Sequence, residues 1–296
     1  MLVVHIHHTT MNPTLRHLLR CFVFVSASRL ATAQTPAPMT VSAAWLKEHV
    51  NDPSVVLLFT SGQPDQPRIP GARYIGGSAL ADGARRGALE LPPAAQLDSA
   101  LEALGVSDRS RIVVYAGDPR GMTNAARLYL TLAWAGLGDR TSMLDGGLQA
   151  WRAAGGSETT DETPPPAARG SLSLHPRPDI VVPAAWVKDR LGRPGSTVID
   201  ARPASAFAEA HLPGAHHLLF SAVLDSAGFF RPTQELRALF ASAGAAPSDT
   251  VVSYCAVGMV ASLTWFGARL AGYDARMYDG SFSEWSTLPG YPVERR

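Results

Sequence analysis

Short apolar runs alternate with segments of helical period along most of the chain. In the second half, the β-branched runs Ser196–Asp200 and Thr250–Tyr254 predict strands, and residues 275–278 predict another. Residues 234–240 and 261–270 carry apolar side chains at helical spacing and predict helices. Because strands and helices alternate, we expect an α/β fold with mainly parallel strands and helices on both faces of the sheet.

Four segments of the first half return in the same order in the second half. Residues 41–48, 68–72, 112–116 and 144–151 match residues 182–189, 211–215, 251–255 and 278–285. Four ordered matches at a nearly constant offset indicate a duplicated domain. We predict one domain over 41–154 and a second over 181–290, each large enough to fold alone. Four tryptophans at matching places are expected in the two cores: Trp45, Trp151, Trp186 and Trp285.

Two further segments lie outside the predicted domains. Residues 155–180 are polar and rich in Gly and Pro, which predicts a fairly stiff linker. Residues 1–33 resemble a secretory signal peptide: with Met11 as the start, a basic region precedes a short apolar stretch and an Ala-Thr-Ala cleavage signature that ends at Ala33. This predicts a periplasmic or secreted protein. The alternative is a non-native extension at the amino terminus, which would leave the protein cytoplasmic.

Composition narrows the function classes. The chain has 296 residues, 46% hydrophobic and 17% charged, which argues against disorder. A net charge of +1 without a clustered Lys/Arg face argues against a nucleic-acid partner. From residue 41 onward, no apolar run is long enough to span a bilayer. His211, His216 and His217 are interpreted as loop histidines, since no metal-site spacing is present. We expect a monomer.

Cys255 is the main candidate for chemistry. Cys21 lies in the segment expected to be removed, so Cys255 has no disulfide partner. It follows a predicted strand and precedes a predicted helix, where backbone N–H groups and the helix dipole favour a thiolate. The alternative is a buried structural cysteine, the commoner case for the residue type. The strand–loop–helix position, with Gly258 three residues on, favours a nucleophile.

Several ordered landmarks resemble the tandem rhodaneses, a two-domain family of thiosulfate and 3-mercaptopyruvate sulfurtransferases. They are a Trp-containing first helix, the Asp-Ala-Arg strand end at Asp200, the His-Leu-Pro-Gly-Ala turn at His211, the Cys255 loop and the Asp-Gly-Ser-Phe-x-Glu-Trp segment at Asp279. The resemblance covers about residues 41–290 and implies two tandem rhodanese-like domains. It also implies an inactive first domain, and Ala116 stands where the second copy has Cys255.

The resemblance implies sulfur transfer by double displacement without a metal or other cofactor. Cys255 would take the outer sulfur of a small anionic donor, hold it as a persulfide and pass it to a thiophilic acceptor such as cyanide or a thiol. Asp200 and Arg68 are possible accessory residues. For Arg202, the alternative is a surface arginine paired with Asp200 or Glu209. The predicted substrate-binding residues are Arg202, Ala256, Val257, Gly258, Met259 and Val260.

The residues after the cysteine bear on the donor. Thiosulfate-specific members tend to carry basic residues directly after the cysteine, where this chain has Ala256 and Val257. Mercaptopyruvate members tend to have a hydroxyl at position 257 and a histidine at position 68, where this chain has valine and arginine. Arg68 could bring positive charge to the cleft between the domains. We favour thiosulfate over 3-mercaptopyruvate.

Two other functions compete with this interpretation. A cysteine phosphatase needs an arginine six residues after the cysteine, and position 261 is alanine, so this class is set aside. The second is a catalytically weak sulfur carrier or protein-binding module, since Met259 and Val260 would favour a protein or apolar acceptor. A persulfide on Cys255 that cyanide removes would separate the enzyme from the binding module.

Overall fold

Two parallel sheets of the same design form the two halves of the protein. The computed structural model describes residues 36–60, 66–76, 82–85, 88–117, 121–161, 165–166 and 168–295. The predicted signal segment, with Cys21, lies outside the described residues.

The first half contains seven strands and four helices among the described residues. They are β1 Thr40–Val41, α1 Ala43–His49, β2 Val55–Thr60, β3 Arg73–Tyr74, β4 Asp82–Arg85, β5 Ala88–Glu90, α2 Ala94–Ala103, β6 Arg111–Ala116, α3 Met122–Trp134, β7 Thr141–Leu144 and α4 Gly147–Ala153.

The second half repeats this order with local differences. Its elements are β8 Val181–Val182, α5 Ala184–Lys188, β9 Ser196–Asp200, α6 Ala204–Glu209, β10 His216–His217, α7 Thr233–Ser242, β11 Thr250–Tyr254, α8 Ala261–Leu270, β12 Asp274–Tyr278 and α9 Ser281–Trp285. The predicted α/β alternation is confirmed, and the strands at 196–200 and 250–254 and the helix at 261–270 have the predicted bounds.

The sheet topology confirms the duplication. The first sheet has the order β1-β7-β6-β2-β3, and the second, read from the matching edge, has the order β8-β12-β11-β9-β10. All pairs in both sheets are parallel. The first half adds an antiparallel hairpin formed by β4 and β5. Central strands such as β6 and β11 are almost continuously buried because helices cover both faces.

One hydrophobic cluster runs through both halves. Helices α3 and α8 pack against each other, and their buried side chains belong to the same cluster. The Tyr129 ring meets the Phe266 ring edge-on at 4.7 Å between centroids, and Phe230 lies 4.8 Å from Phe266. Separate clusters cover the outer face of each sheet. The two sheets are therefore joined through a shared interior.

The described part of the 155–180 segment lies along the first half. The Gly170 N–H donates to the Glu102 carbonyl at 2.8 Å, and the His175 N–H donates to the Ala135 carbonyl at 3.0 Å. A Cβ on Gly170 would overlap the Val106 carbonyl, so only glycine allows this close approach. Backbone hydrogen bonds thus hold the linker against α2 and the end of α3.

The tryptophan prediction is half right. Trp151 and Trp285 are buried, with indole N–H groups that donate to the carbonyls of Ser157 and Pro292. The other pair is only partly buried, and an arginine guanidinium covers each ring: Arg111 over Trp45 at 4.2 Å and Arg190 over Trp186 at 3.7 Å. The matching tryptophans at the start of each half therefore take part in cation–π contacts at the surface.

Within the described ranges, no helix combines the length and apolar character needed to cross a membrane. The same part of the chain contains no group of three His, Cys, Asp or Glu side chains arranged to hold a metal ion.

Candidate active site

Cys255 lies between β11 and α8, at the carboxyl edge of the second sheet. The preceding residue, Tyr254, pairs in register with Asp200 at the end of β9. The cysteine is 1% exposed, and its Sγ accepts the Gly258 N–H at 3.2 Å. An amide N–H therefore points at the sulfur even though the side chain is buried.

The carbonyl groups of the loop point away from the sulfur and are held by neighbouring segments. Phe282 N–H donates to Cys255 O at 3.0 Å, Ser283 N–H to Ala256 O at 3.0 Å, Leu89 N–H to Val257 O at 2.7 Å, and Arg127 Nη1 to Gly258 O at 3.0 Å. In a trans peptide the carbonyl and the following N–H point in opposite directions. Four outward carbonyls therefore turn the following amides inward.

The remaining amides of the loop are available to a ligand. Among the described residues, the N–H groups of Ala256, Val257, Met259 and Val260 have no hydrogen-bond partner. Successive free N–H groups before a helix form a concavity that attracts anions. Ala256 is exposed, and Val257, Met259 and Val260 are partly exposed, so this part of the loop meets solvent.

Gly258 is the residue that makes the loop possible. Its φ is +87°, a conformation that residues with a side chain rarely adopt. A Cβ at this position would overlap the Asp279 carbonyl oxygen and come within 3.2 Å of the Leu89 carbonyl oxygen. Glycine is required here both by conformation and by space.

Ser281 supports the nucleophile from the start of α9. Its Oγ accepts the Cys255 N–H at 3.2 Å and donates to the Tyr278 carbonyl at 3.0 Å. Its φ is +54°, the one positive value at a non-glycine residue in the described chain. The first half has Gly147 at the matching position with φ +55°, so the second half keeps a strained backbone in order to place a hydroxyl.

A buried ion pair joins the first half to this loop. Arg127, on α3, is fully buried, and its Nη1 lies 2.5 Å from Oδ1 of Asp279. Its Nη2 donates to the Leu89 carbonyl at 2.8 Å. Asp279 also accepts the Leu91 N–H at 2.7 Å. Residues from β5 and α3 of the first half thus contact the Cys255 loop directly.

Arg202 is paired with Asp200 and is buried rather than on the surface. Its Nη2 lies 2.6 Å from Oδ2 of Asp200, and its guanidinium covers the Phe282 ring at 4.2 Å. Asp200 also accepts the Tyr254 hydroxyl at 2.6 Å, and burial together with this carboxylate raises the pKa of Tyr254. Nε and Nη2 make the contacts with Asp200 and with the Ala210 carbonyl, and Nη1 takes part in none of these. That nitrogen remains available to an anion.

Arg68 lies in the Pro-Gly turn of the first half. Its main chain bridges to Thr159, its Nη2 donates to the Asp161 carbonyl, and its guanidinium lies 5.8 Å from the centre of the Phe59 ring. These contacts belong to the first half and the segment after it. The proposed role of Arg68 in the cleft therefore stays a prediction.

The structure thus brings most predicted residues to one edge and adds three that the sequence analysis missed. Cys255, the loop that follows it, and the Asp200–Arg202 pair flank the ends of β9 and β11. The missed residues are Leu89, Arg127 and Ser281. Two of them had a detectable signal: Arg127 is a lone arginine inside the apolar helix α3, and Ser281 lies in the Asp-Gly-Ser-Phe segment named above.

Comparisons with known proteins agree with this geometry. Residues 42–154 and 183–288 match the model of the family described as the rhodanese-like domain. The chain is 36% identical over 214 residues to a Pseudomonas aeruginosa protein named "Probable 3-mercaptopyruvate sulfurtransferase", covering 69% of this chain and 74% of the relative. It is 26% identical to Arabidopsis thaliana thiosulfate/3-mercaptopyruvate sulfurtransferase 1, with 89% and 80% coverage. The crystal structure of SseA from Escherichia coli superposes with a TM-score of 0.73 at 25% identity, covering 83% of this chain and 99% of SseA.

Proposed function

The chain belongs to the rhodanese-like family and is a sulfurtransferase, and from that premise we propose that Cys255 carries sulfane sulfur from thiosulfate to a thiophilic acceptor. The observation that supports this most directly is the Gly258 N–H at 3.2 Å from Sγ, with free amides on both sides of it. Both the thiolate and the persulfide are anions that such a loop stabilises. The first half lacks a thiol at the matching residue, Ala116.

The reaction balances without a cofactor. The Cys255 thiolate attacks the outer sulfur of thiosulfate, the S–S bond of the donor breaks, and sulfite leaves with the bonding pair. The persulfide on Cys255 then gives its outer sulfur to cyanide, which forms thiocyanate and restores the thiolate. No proton moves in either step, so no general acid or base is needed.

The choice of donor follows from that proton balance. Cleavage of the C–S bond of 3-mercaptopyruvate leaves an enolate that must be protonated, which calls for a hydroxyl or another acid beside the sulfur. Ala256 and Val257 offer none. The nearby Ser283 hydroxyl donates to the Ala256 carbonyl at 2.7 Å, and Ser281 is also engaged. The name of the Pseudomonas aeruginosa relative favours the competing donor, 3-mercaptopyruvate, whereas the name of the Arabidopsis thaliana relative includes both donors.

Arg202 supplies the positive charge for the donor in this proposal. Nε and Nη2 are fixed on Asp200, which orients the guanidinium without using Nη1. Nη1, oriented in this way beside the end of β9, suits a sulfonate oxygen.

The experiment compares both donors on the same protein. After incubation with thiosulfate, intact-mass measurement should show one added sulfur, peptide mapping should place it on Cys255, and cyanide should remove it. Cys255→Ser should lose the adduct. Ser253→Ala, two residues earlier on β11, is the matched control and should keep it. Greater turnover with 3-mercaptopyruvate than with thiosulfate would reassign the donor. No adduct with either donor would refute the transfer function and favour the binding module.

A further inference from the structure

The two halves contact each other with approximate twofold symmetry. Asp279 of the second half accepts the Leu91 N–H of the first at 2.7 Å. In the same way, Asp145 of the first half accepts the Phe230 N–H of the second at 3.0 Å. Each aspartate begins the Asp-Gly turn of its half, so the duplicated sequence makes the same contact twice.

At one matching position of the paired helices, the two halves differ in charge. Arg127 and Phe266 each lie eleven residues after the matching pair Ala116 and Cys255. Phe266 is fully buried and packs against Tyr129 and Phe230. At this matching position the second half therefore has an apolar aromatic residue, Phe266, whereas the first half has a charged residue, Arg127, which contacts the Cys255 loop.

Stability alone does not account for this arginine. A fully buried ion pair loses its hydration, and apolar residues of similar volume are often as stable or more stable. Phe266 shows that this interface accommodates such a residue. What Arg127 adds is a donor to the Gly258 carbonyl at 3.0 Å, held in place by Asp279 and the Leu89 carbonyl.

Building on the proposed function, we propose that Arg127, which belongs to the first half, is a positioning residue that orients the Cys255 loop of the second half. By holding the Gly258 carbonyl outward, it turns the Met259 N–H inward, because the two groups of a trans peptide point in opposite directions. In the same way, the Leu89 N–H donates to the Val257 carbonyl at 2.7 Å and holds it outward, which turns the Gly258 N–H inward. The orientation of two amides of the Cys255 loop, those of Gly258 and Met259, thus depends on residues of the first half.

The test separates orientation from folding. Arg127→Met alone leaves the Asp279 carboxylate buried without its partner, so the principal variant is Arg127→Met with Asp279→Asn, whose amide oxygen still accepts the Leu91 N–H. Phe266→Leu is the matched control, since it loosens the same interface without touching the Gly258 carbonyl. Arg127→Lys keeps the charge but reaches fewer acceptors. Thermal unfolding of all variants is recorded beside the kinetics.

The main readout is single-turnover persulfide formation on Cys255 against thiosulfate concentration. We expect the maximal rate to fall about 10- to 100-fold in the double variant, with the half-saturating concentration little changed. This is the effect of losing one hydrogen bond from a loop amide to the anionic transition state. Arg127→Lys should recover part of the rate, and Phe266→Leu should stay near wild type. A wild-type or faster rate in the double variant, or an equal loss in Phe266→Leu, would overturn the proposal.

A second readout does not depend on the natural donor. The Cys255 thiolate attacks the methylthio sulfur of methyl methanethiosulfonate, a mixed disulfide forms, and methanesulfinate leaves with the bonding pair of the broken S–S bond. The rate of this reaction should fall in the same order across the variants. If the wild type forms no persulfide with any sulfane donor, the proposed function fails. If the reagent rates are equal in all variants, the role of Arg127 fails.

Discussion

Replacing Gly258 by alanine tests the loop geometry most directly. At φ +87° an alanine costs about 1–2 kcal/mol relative to glycine. Its Cβ would also overlap the Asp279 main-chain oxygen, a group fixed in the turn before α9, so the backbone must shift. Overpacking of this kind costs about 1–3 kcal/mol. Together we expect a loss of about 2–5 kcal/mol, or roughly 5–15 °C in Tm for a chain of this size.

Two other glycines provide matched controls for the conformational part. Gly71 and Gly214 have φ values of +80° and +69°, and a Cβ on either would meet nothing within 4 Å. Gly71→Ala and Gly214→Ala should therefore lose only the first contribution, about 1–2 kcal/mol. The difference between these variants and Gly258→Ala measures the clash at the active loop.

The assay pairs thermal unfolding with persulfide formation. The shift at Gly258 moves its N–H away from Sγ, so we expect persulfide formation to slow about 10- to 100-fold in Gly258→Ala and to remain near wild type in both controls. If Gly258→Ala loses no more stability than Gly214→Ala and keeps its rate, the close approach of the loop to Asp279 is not real and the reasoning is refuted.

Three further predictions concern separate features. Ser281→Ala removes the hydroxyl that accepts the Cys255 N–H and keeps the strained φ, so it should slow persulfide formation about tenfold. Ser281→Gly should be equally slow but more stable than Ser281→Ala, because glycine relieves the strain. Unequal rates of persulfide formation in the two variants would contradict this. Burial raises the pKa of Asp145, so the native state keeps a proton that the unfolded chain releases above about pH 4, and stability falls as the pH rises through the native pKa. Asp145→Asn, whose amide oxygen still accepts the Phe230 N–H, should lack this fall, and the Tm difference between variant and wild type should grow with pH; a constant difference would refute it. We also propose that the first 33 residues are removed on export, so amino-terminal sequencing of the protein from a periplasmic or secreted fraction should begin at Gln34, and an intact amino terminus would oppose this.

Local patterns predicted the elements that carry the chemistry. The run Thr250–Tyr254 and the helix period that begins at Ala261 were sufficient to place Cys255 between a strand and a helix. A strand followed by a glycine-containing loop and a helix has few conformations, so neighbouring residues determine the position of the thiol. The internal repeat then gave the first sheet from the second.

Contacts between distant segments were not predictable from such patterns. Arg127 and Gly258 are separated by 131 residues, and the local sequence around either residue does not indicate that the two are in contact. A lone arginine in an apolar helix shows that a buried acceptor exists but not which one it is. In the same way, the matching tryptophans could not show that Trp45 and Trp186 lie under arginine side chains, because burial depends on the fold around them.

The ring contacts between α3 and α8 limit how a donor reaches the sulfur. Because the Tyr129 and Phe266 rings pack edge-on in a shared interior, we expect the halves to stay together when a molecule enters. Entry therefore depends on small displacements of the partly exposed Val257, Met259 and Val260 above a thiol that is 1% exposed. A small ion passes such an opening more readily than a folded protein. A protein acceptor would have to carry the atom that takes the sulfur on an extended side chain or a narrow segment.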